Sequence, residues 1–201
     1  MTKIKICGLY RPEDIQAVNR AKPDWCGFII NFPKSHRSLT PAQVRELRQE
    51  LDRSVTPVGV FVDQPVEDVA RLLNDGTISI AQLHGHEDGA YIAALRAAAP
   101  GYPVWKAFKI RSAGDLEAVN SSPADLVVLD NGYGTGAAFD WTLAAGVTRP
   151  CLLAGGLTPE NIPQAIARLH PWGLDISSGV ETEKKKDFHK IKAAVRAARE
   201  E

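Results

Sequence analysis

Cys7, Asp130 and two small-residue turns at residues 155–156 and 177–179 are the groups in this chain from which acid–base chemistry on an anionic ligand could be assembled. Cys7 follows the alternating run KIKI near the start of the chain and stands directly before Gly8. A cysteine inside a strand acts as a small hydrophobe, and Cys26 and Cys151, which lie within apolar runs, are read that way. At the end of a strand the sulfur can ionise instead. Nearby cations or amide dipoles would lower its pKa, and the thiolate could then serve as a base or a nucleophile. Asp130 closes the run LVVLD, where an aspartate either titrates in a pocket or forms a turn. Gly155 and Gly156 in LLAGGLTPENI, and Ser177, Ser178 and Gly179 in LDISSGVE, follow apolar runs. Backbone N–H groups in such turns can approach a phosphate with no Cβ in the way; ordinary turn glycines are the plainer reading.

These groups need a frame, and the periodicity supplies one. Short apolar runs begin near Lys3, Trp25, Thr56, Ile78, Val104, Leu126, Pro150 and Trp172. Their onsets are about 24 residues apart, the span of one strand, one helix and two short loops. Helical signals lie between them. Thr40 and Pro41 with Gln43 form a capping box ahead of Val44, Leu47 and Leu51, and Thr158 and Pro159 repeat the device ahead of Ile162, Ala165, Ile166 and Leu169. Pro65 introduces Val66, Val69, Ala70 and Leu73, whereas residues 139–146 allow no more than two helical turns.

Eight evenly spaced units predict a single-domain (β/α)8 TIM barrel over residues 1–201, in preference to an open doubly wound sheet. A barrel puts its reacting groups on the rim where strands end, which selects Cys7, Asn31, Asp63, His84, Lys109, Asp130, Gly155 and Ser177. The turns after strands seven and eight fall where barrels commonly bind phosphate. NGYGTG, residues 131–136, has its glycines at alternate positions with no long helix after them, so it reads as an adaptable loop over a pocket and not as a dinucleotide fingerprint.

Composition excludes several classes. Lys plus Arg equals Asp plus Glu at 24 each, so no overall field recruits nucleic acid or an anionic membrane. No run approaches the length of a spanning helix and no secretory signal opens the chain, which reads as cytoplasmic. Three cysteines without a CxxC pair suit a reducing compartment. His84 and His86 lie two apart without a third ligand, so no metal site is expected; His84 is read as lining the pocket.

KICGL, GFIINFPKSHR, VGVFVD, QLHG, VVLDNGYGTG, LLAGGLTPENI and LDISSGVE, in this order over nearly the whole chain, resemble the phosphoribosylanthranilate isomerase family of tryptophan biosynthesis. The resemblance implies a (β/α)8 barrel, no metal or organic cofactor, a small phosphoribosyl substrate, and a monomer or homodimer. It also implies an Amadori rearrangement in which Asp130 is the general acid and Cys7 the general base. Arg37, in KSHR, matches the family's arginine near the anthranilate carboxylate, while a solvated loop charge is its alternative. His84, Gly155, Gly156, Asp175, Ser177, Ser178 and Gly179 are the implied substrate-binding positions. Residues 181–187 carry TEKKK where a glycine-containing turn is expected, and read as a solvated helix start. Two rival readings remain: an aldolase-like lyase with Lys106 as Schiff-base nucleophile, and a phosphosugar-binding protein without turnover.

Overall fold

The computed structural model describes residues 1–130 and 144–200. The loop at 131–136 lies outside the described residues, as does most of the expected short helix at 139–146. Eight parallel strands run in chain order: β1 (Lys3–Cys7), β2 (Trp25–Ile30), β3 (Thr56–Phe61), β4 (Ile80–Leu83), β5 (Val104–Lys109), β6 (Leu126–Asp130), β7 (Cys151–Ala154) and β8 (Gly173–Ile176). Each pairs with its sequence neighbours, and β1 also pairs with β8, so the sheet closes on itself. Every onset agrees with the sequence reading to within about two residues, because a strand buried on both faces must be apolar almost throughout.

Side-chain alternation then divides the strands into two faces. Ile4, Ile6, Cys26, Phe28, Val127, Leu129, Leu153 and Leu174 point outward into one continuous apolar layer beneath the helices. Trp25, Val58, Ile80, Trp105, Ala107, Leu126, Val128, Leu152 and Ala154 point inward and fill the barrel. At its base Trp25 meets Trp105 edge to face, with ring centroids 5.3 Å apart, and Trp172 tilts against Trp25 from the outside at 5.4 Å. On β1 the inward positions are Lys5 and Cys7, so this strand brings polar chemistry where its neighbours bring packing.

Among the described residues the helices are α1 (Pro12–Ala21), α2 (Pro41–Gln49), α3 (Val66–Asn74), α4 (Gly89–Ala98), α5 (Leu116–Asn120), α6 (Ile162–Leu169) and α7 (Phe188–Arg199). At α2 the expected capping box forms: Gln43 N–H donates to Thr40 Oγ1, and Thr40 N–H donates to Gln43 Oε1 at 2.8 Å. At α6 the expected cap is displaced. Asn161 Oδ1 accepts from the Thr158 N–H and its Nδ2 donates to the Gly156 carbonyl, so residues 156–161 fold into a turn and the helix starts only at Ile162. The side chain of Asn161 competes successfully with helix formation there.

A second correction falls on residues 181–187. Instead of a solvated helix start, Glu181–Thr182 and Lys185–Lys186 form a small antiparallel hairpin. Glu183 and Lys184 at its tip both have positive φ, 51° and 62°, the backbone of a tight I′-type turn made without glycine. Another two-residue strand, Ser38–Leu39, adds to β2 beyond the point where β1 ends.

Candidate active site

A cavity of about 290 Å³ opens at the C-terminal rim of the barrel. It is lined by Cys7 from β1, Arg37 from the loop after β2, His84 just past β4, Asp130 from β6, Gly155 and Gly156 after β7, Asp175 from β8, and Ser177, Ser178 and Gly179 after it. Three strand-end residues stay outside. Asn31 is held in a left-handed backbone by the Leu39 carbonyl, the Asp63 carboxylate accepts from His86, and Lys109 is exposed. A second cavity of about 260 Å³ lies at the opposite end of β7 and β8. Its Arg149 is committed to the backbone carbonyls of residues 119, 122 and 124.

Cys7 sits over bare backbone. It pairs in register with Gly27 of β2, where an added Cβ would lie 2.7 Å from Cys7 Sγ and 3.0 Å from Lys5 Cε. Lys5 pairs in register with Asp175, and its fully buried Nζ donates to Asp175 Oδ2 at 2.8 Å. The expected lowering of the Cys7 pKa does not occur. Burial, the largest influence, pushes the thiol above its ordinary range; Lys5 pulls against it, but Asp175 offsets part of that pull. Cys26, fully buried on the outer face, is pushed up by burial too, and Cys151 is raised to about 11 by the same cause.

Across the mouth, His84 Nε2 stands 3.1 Å from Asp130 Oδ2, with the Gln82 amide 3.4 Å behind its Nδ1. His86 turns the other way, to Asp63, so the two histidines diverge. Gly155 and Gly156 adopt φ of 85° and 66°, which only a residue without Cβ adopts freely. A Cβ on Gly179 would overlap the Leu157 carbonyl, so the two glycine turns touch backbone to backbone. The Ser177 hydroxyl donates to the Cys7 carbonyl at 3.0 Å, which ties β8 to the end of β1. Asp175 Oδ1 is buried and has no hydrogen-bond partner among the described residues.

Sequence reasoning overlooked a charge cluster beside the cavity. Glu181, on the hairpin, accepts from Arg37 Nε at 2.7 Å, from Arg37 Nη2 at 2.6 Å and from Lys186 Nζ at 2.7 Å. Burial opposes its ionisation, yet the Arg37 hydrogen bonds and the Lys186 charge hold it below the usual carboxylate range. Lys186 is buried, which lowers its pKa, and it also donates to the Ser177 carbonyl. The side-on grip of Glu181 takes Nε and one Nη2 hydrogen of Arg37, leaving the Nη1–Nη2 edge for a second planar anion. Lys5 was the other omission, although a lysine two positions before Cys7 in a buried strand must share its inward face.

Lys106 does not reach the cavity. It lies on the outer face of β5, donating to the Gly85 carbonyl and to the buried Glu87 carboxylate at 2.9 Å, so it neither fills an interior layer nor meets a substrate there.

Closed parallel sheet, surrounding helices and one polar cavity at the C-terminal rim define the class: a (β/α)8 barrel. The family model described as N-(5'phosphoribosyl)anthranilate (PRA) isomerase matches residues 4–197, and the chain belongs to that family. The N-(5'-phosphoribosyl)anthranilate isomerase of Thermoanaerobacter sp. (strain X514) is 39% identical over 206 residues, covering 99% of this chain and 98% of the relative. The crystal structure of phosphoribosyl anthranilate isomerase from Thermus thermophilus superimposes with a TM-score of 0.85 at 34% identity, over 98% of both chains. A phosphoribosyl anthranilate isomerase in complex with reduced 1-(o-carboxyphenylamino)-1-deoxyribulose 5-phosphate gives 0.83 at 34% identity, again over 98% of both.

Proposed function

We propose that this chain converts N-(5-phosphoribosyl)anthranilate into 1-(2-carboxyphenylamino)-1-deoxyribulose 5-phosphate, the Amadori rearrangement of tryptophan biosynthesis. Asp130 acts as the acid: its proton goes to the furanose ring oxygen, the C1′–O bond breaks, and the anilino nitrogen becomes an iminium. His84, against Asp130 Oδ2, orients that carboxyl group. Cys7 as thiolate then takes the C2′ proton, which the iminium has acidified, and the electron pair flows to nitrogen. The resulting enolamine gains a proton at C1′ and loses the C2′ hydroxyl proton, giving the ketone with no net change in atoms.

Binding follows from the same walls. The glycine turns at 155–156 and 177–179 offer backbone N–H groups to the phosphate. The free edge of Arg37 suits the anthranilate carboxylate, and Asp175 Oδ1 can accept from a sugar hydroxyl. No step calls for a metal or organic cofactor. We place the protein in the cytoplasm, as a monomer or homodimer acting on a small phosphoribosyl molecule. A Thermotoga maritima relative is described as dimeric, and among the described residues no helix is long and apolar enough to cross a membrane.

The observation that carries this reading is the convergence of Cys7 and Asp130 with both glycine turns on one cavity. A fluorescence assay of phosphoribosylanthranilate consumption tests it. Cys7→Ser and Asp130→Asn should each lower kcat by about 10²-fold or more, the loss usual for an acid or base, with the fold intact. Near-normal turnover in either variant removes that residue from the mechanism, and an equal loss in Cys26→Ser would show that packing had been mistaken for chemistry.

A further inference from the structure

A buried thiol is a poor base unless something receives the charge it acquires, and the floor of the cavity contains such a group. Lys5 lies two residues before Cys7 on the inward face of β1, with its side chain fully buried and its ammonium 2.8 Å from Asp175 Oδ2. Gly27, lacking a Cβ, opens the space in which the Lys5 stem and the Cys7 sulfur lie together. A lysine that only filled this space would be a costly choice, since burying an ion pair seldom stabilises a fold more than apolar side chains of similar volume do.

The charge balance points the same way. Facing Cys7 are Lys5 from β1, Asp175 from β8, Lys186 and its partner Glu181 from the hairpin, and Arg37 from the loop after β2; Cys26 of β2 lies on the outer face. Arg37 and Lys186 share the one carboxylate of Glu181, and Lys5 has that of Asp175. Three cations and two carboxylates leave one positive charge, which a single thiolate would neutralise.

We propose that Lys5 is a positioning residue for the rearrangement: its ammonium, fixed by Asp175, holds the negative charge that Cys7 gains on losing its proton. The proposal rests on the reading of Cys7 as the base. It assigns opposite roles to two partners in one ion pair. Lys5 favours the thiolate directly, while Asp175 anchors Lys5 and, through its own charge, disfavours the thiolate.

The test is the pH dependence of Cys7 alkylation by iodoacetamide, in a Cys151→Ser background because Cys151 is partly exposed. Lys5→Met should move the titration midpoint up by about one to three pH units, the range for losing an adjacent opposite charge. Asp175→Asn should move it down, since the ammonium is then left without its counter-charge. The double variant Lys5→Met/Asp175→Asn buries no unpaired charge and keeps the test open if Lys5→Met alone fails to fold; its midpoint should still lie above that of the parent. An unmoved midpoint in the folded Lys5 variant, or an upward shift in Asp175→Asn, would overturn the proposal. Full turnover by Cys7→Ser would instead refute the base assignment, and the alkylation midpoints would still report on Lys5.

Discussion

Replacing Glu181 by glutamine should reveal how strongly the hairpin is bound to the loop that carries Arg37. The wild-type carboxylate accepts three charged hydrogen bonds of 2.6 to 2.7 Å, from a guanidinium whose side chain is 18% exposed and an ammonium that is fully buried. Breaking a buried ion pair by removing one partner costs about 3–5 kcal/mol. Glutamine keeps one acceptor and Arg37 keeps some water, so about 2–4 kcal/mol is the reasoned loss here. For a chain of this size each kcal/mol is about 2–4 °C, which gives a fall in Tm of roughly 5–15 °C. The pH dependence fixes the cause. Because folding lowers the Glu181 pKa, its contribution is complete above the unfolded value of about 4.3 and is lost as pH falls through the lower folded value. Melting curves at pH 7 and below pH 4 should therefore show a wide gap between parent and variant that closes in acid. Glu181→Gln/Lys186→Met, which removes the stranded ammonium as well, should recover part of the loss. A fall of less than about 2 °C at pH 7, or a gap of constant width, would refute the reasoning.

Two further outcomes follow from the site. Gly156→Ala forces a side chain into a backbone at φ 66°, a strain of about 1–2 kcal/mol, and should raise KM for the phosphorylated substrate and weaken inhibition by inorganic phosphate; unchanged phosphate inhibition in the folded variant would mean that the anion binds elsewhere. Since burial holds the Cys7 thiol above its ordinary range, the rate of Cys7 alkylation, which follows the thiolate alone, should climb about tenfold per pH unit between pH 7 and 8, and a rate already level over that interval would show that the thiol titrates low.

Strand positions were legible because a barrel strand has no exposed face, so runs such as LVVLD and VGVFVD announce themselves without any alternation. The rim residues were legible for the complementary reason: polarity returns where a strand leaves the sheet, as at Cys7, Asp130 and Ser177. What escaped were groups whose role depends on register. That Lys5 stands beside Asp175 requires knowing how β1 aligns with β8 across 170 residues. Nor does TEKKK signal that Lys186 turns inward while Lys184 and Lys185 stay in water, since adjacent lysines in a hairpin look identical until the strand phase is set. The sign of the Cys7 shift was misjudged because the cations were anticipated and the desolvation was not.

The tryptophan-lined base of the barrel has a kinetic consequence. Trp25, Ile80, Trp105, Leu126 and Leu152 fill the space below the cavity, so the well has a floor and its opening lies at the rim. Ligands entering and leaving by that rim must take turns: a product still in the well excludes the next substrate, and the two compete for the same unoccupied protein. Product inhibition should accordingly be purely competitive, relieved by raising substrate. The ceiling on turnover is then set by how fast the well empties as much as by how fast protons move within it.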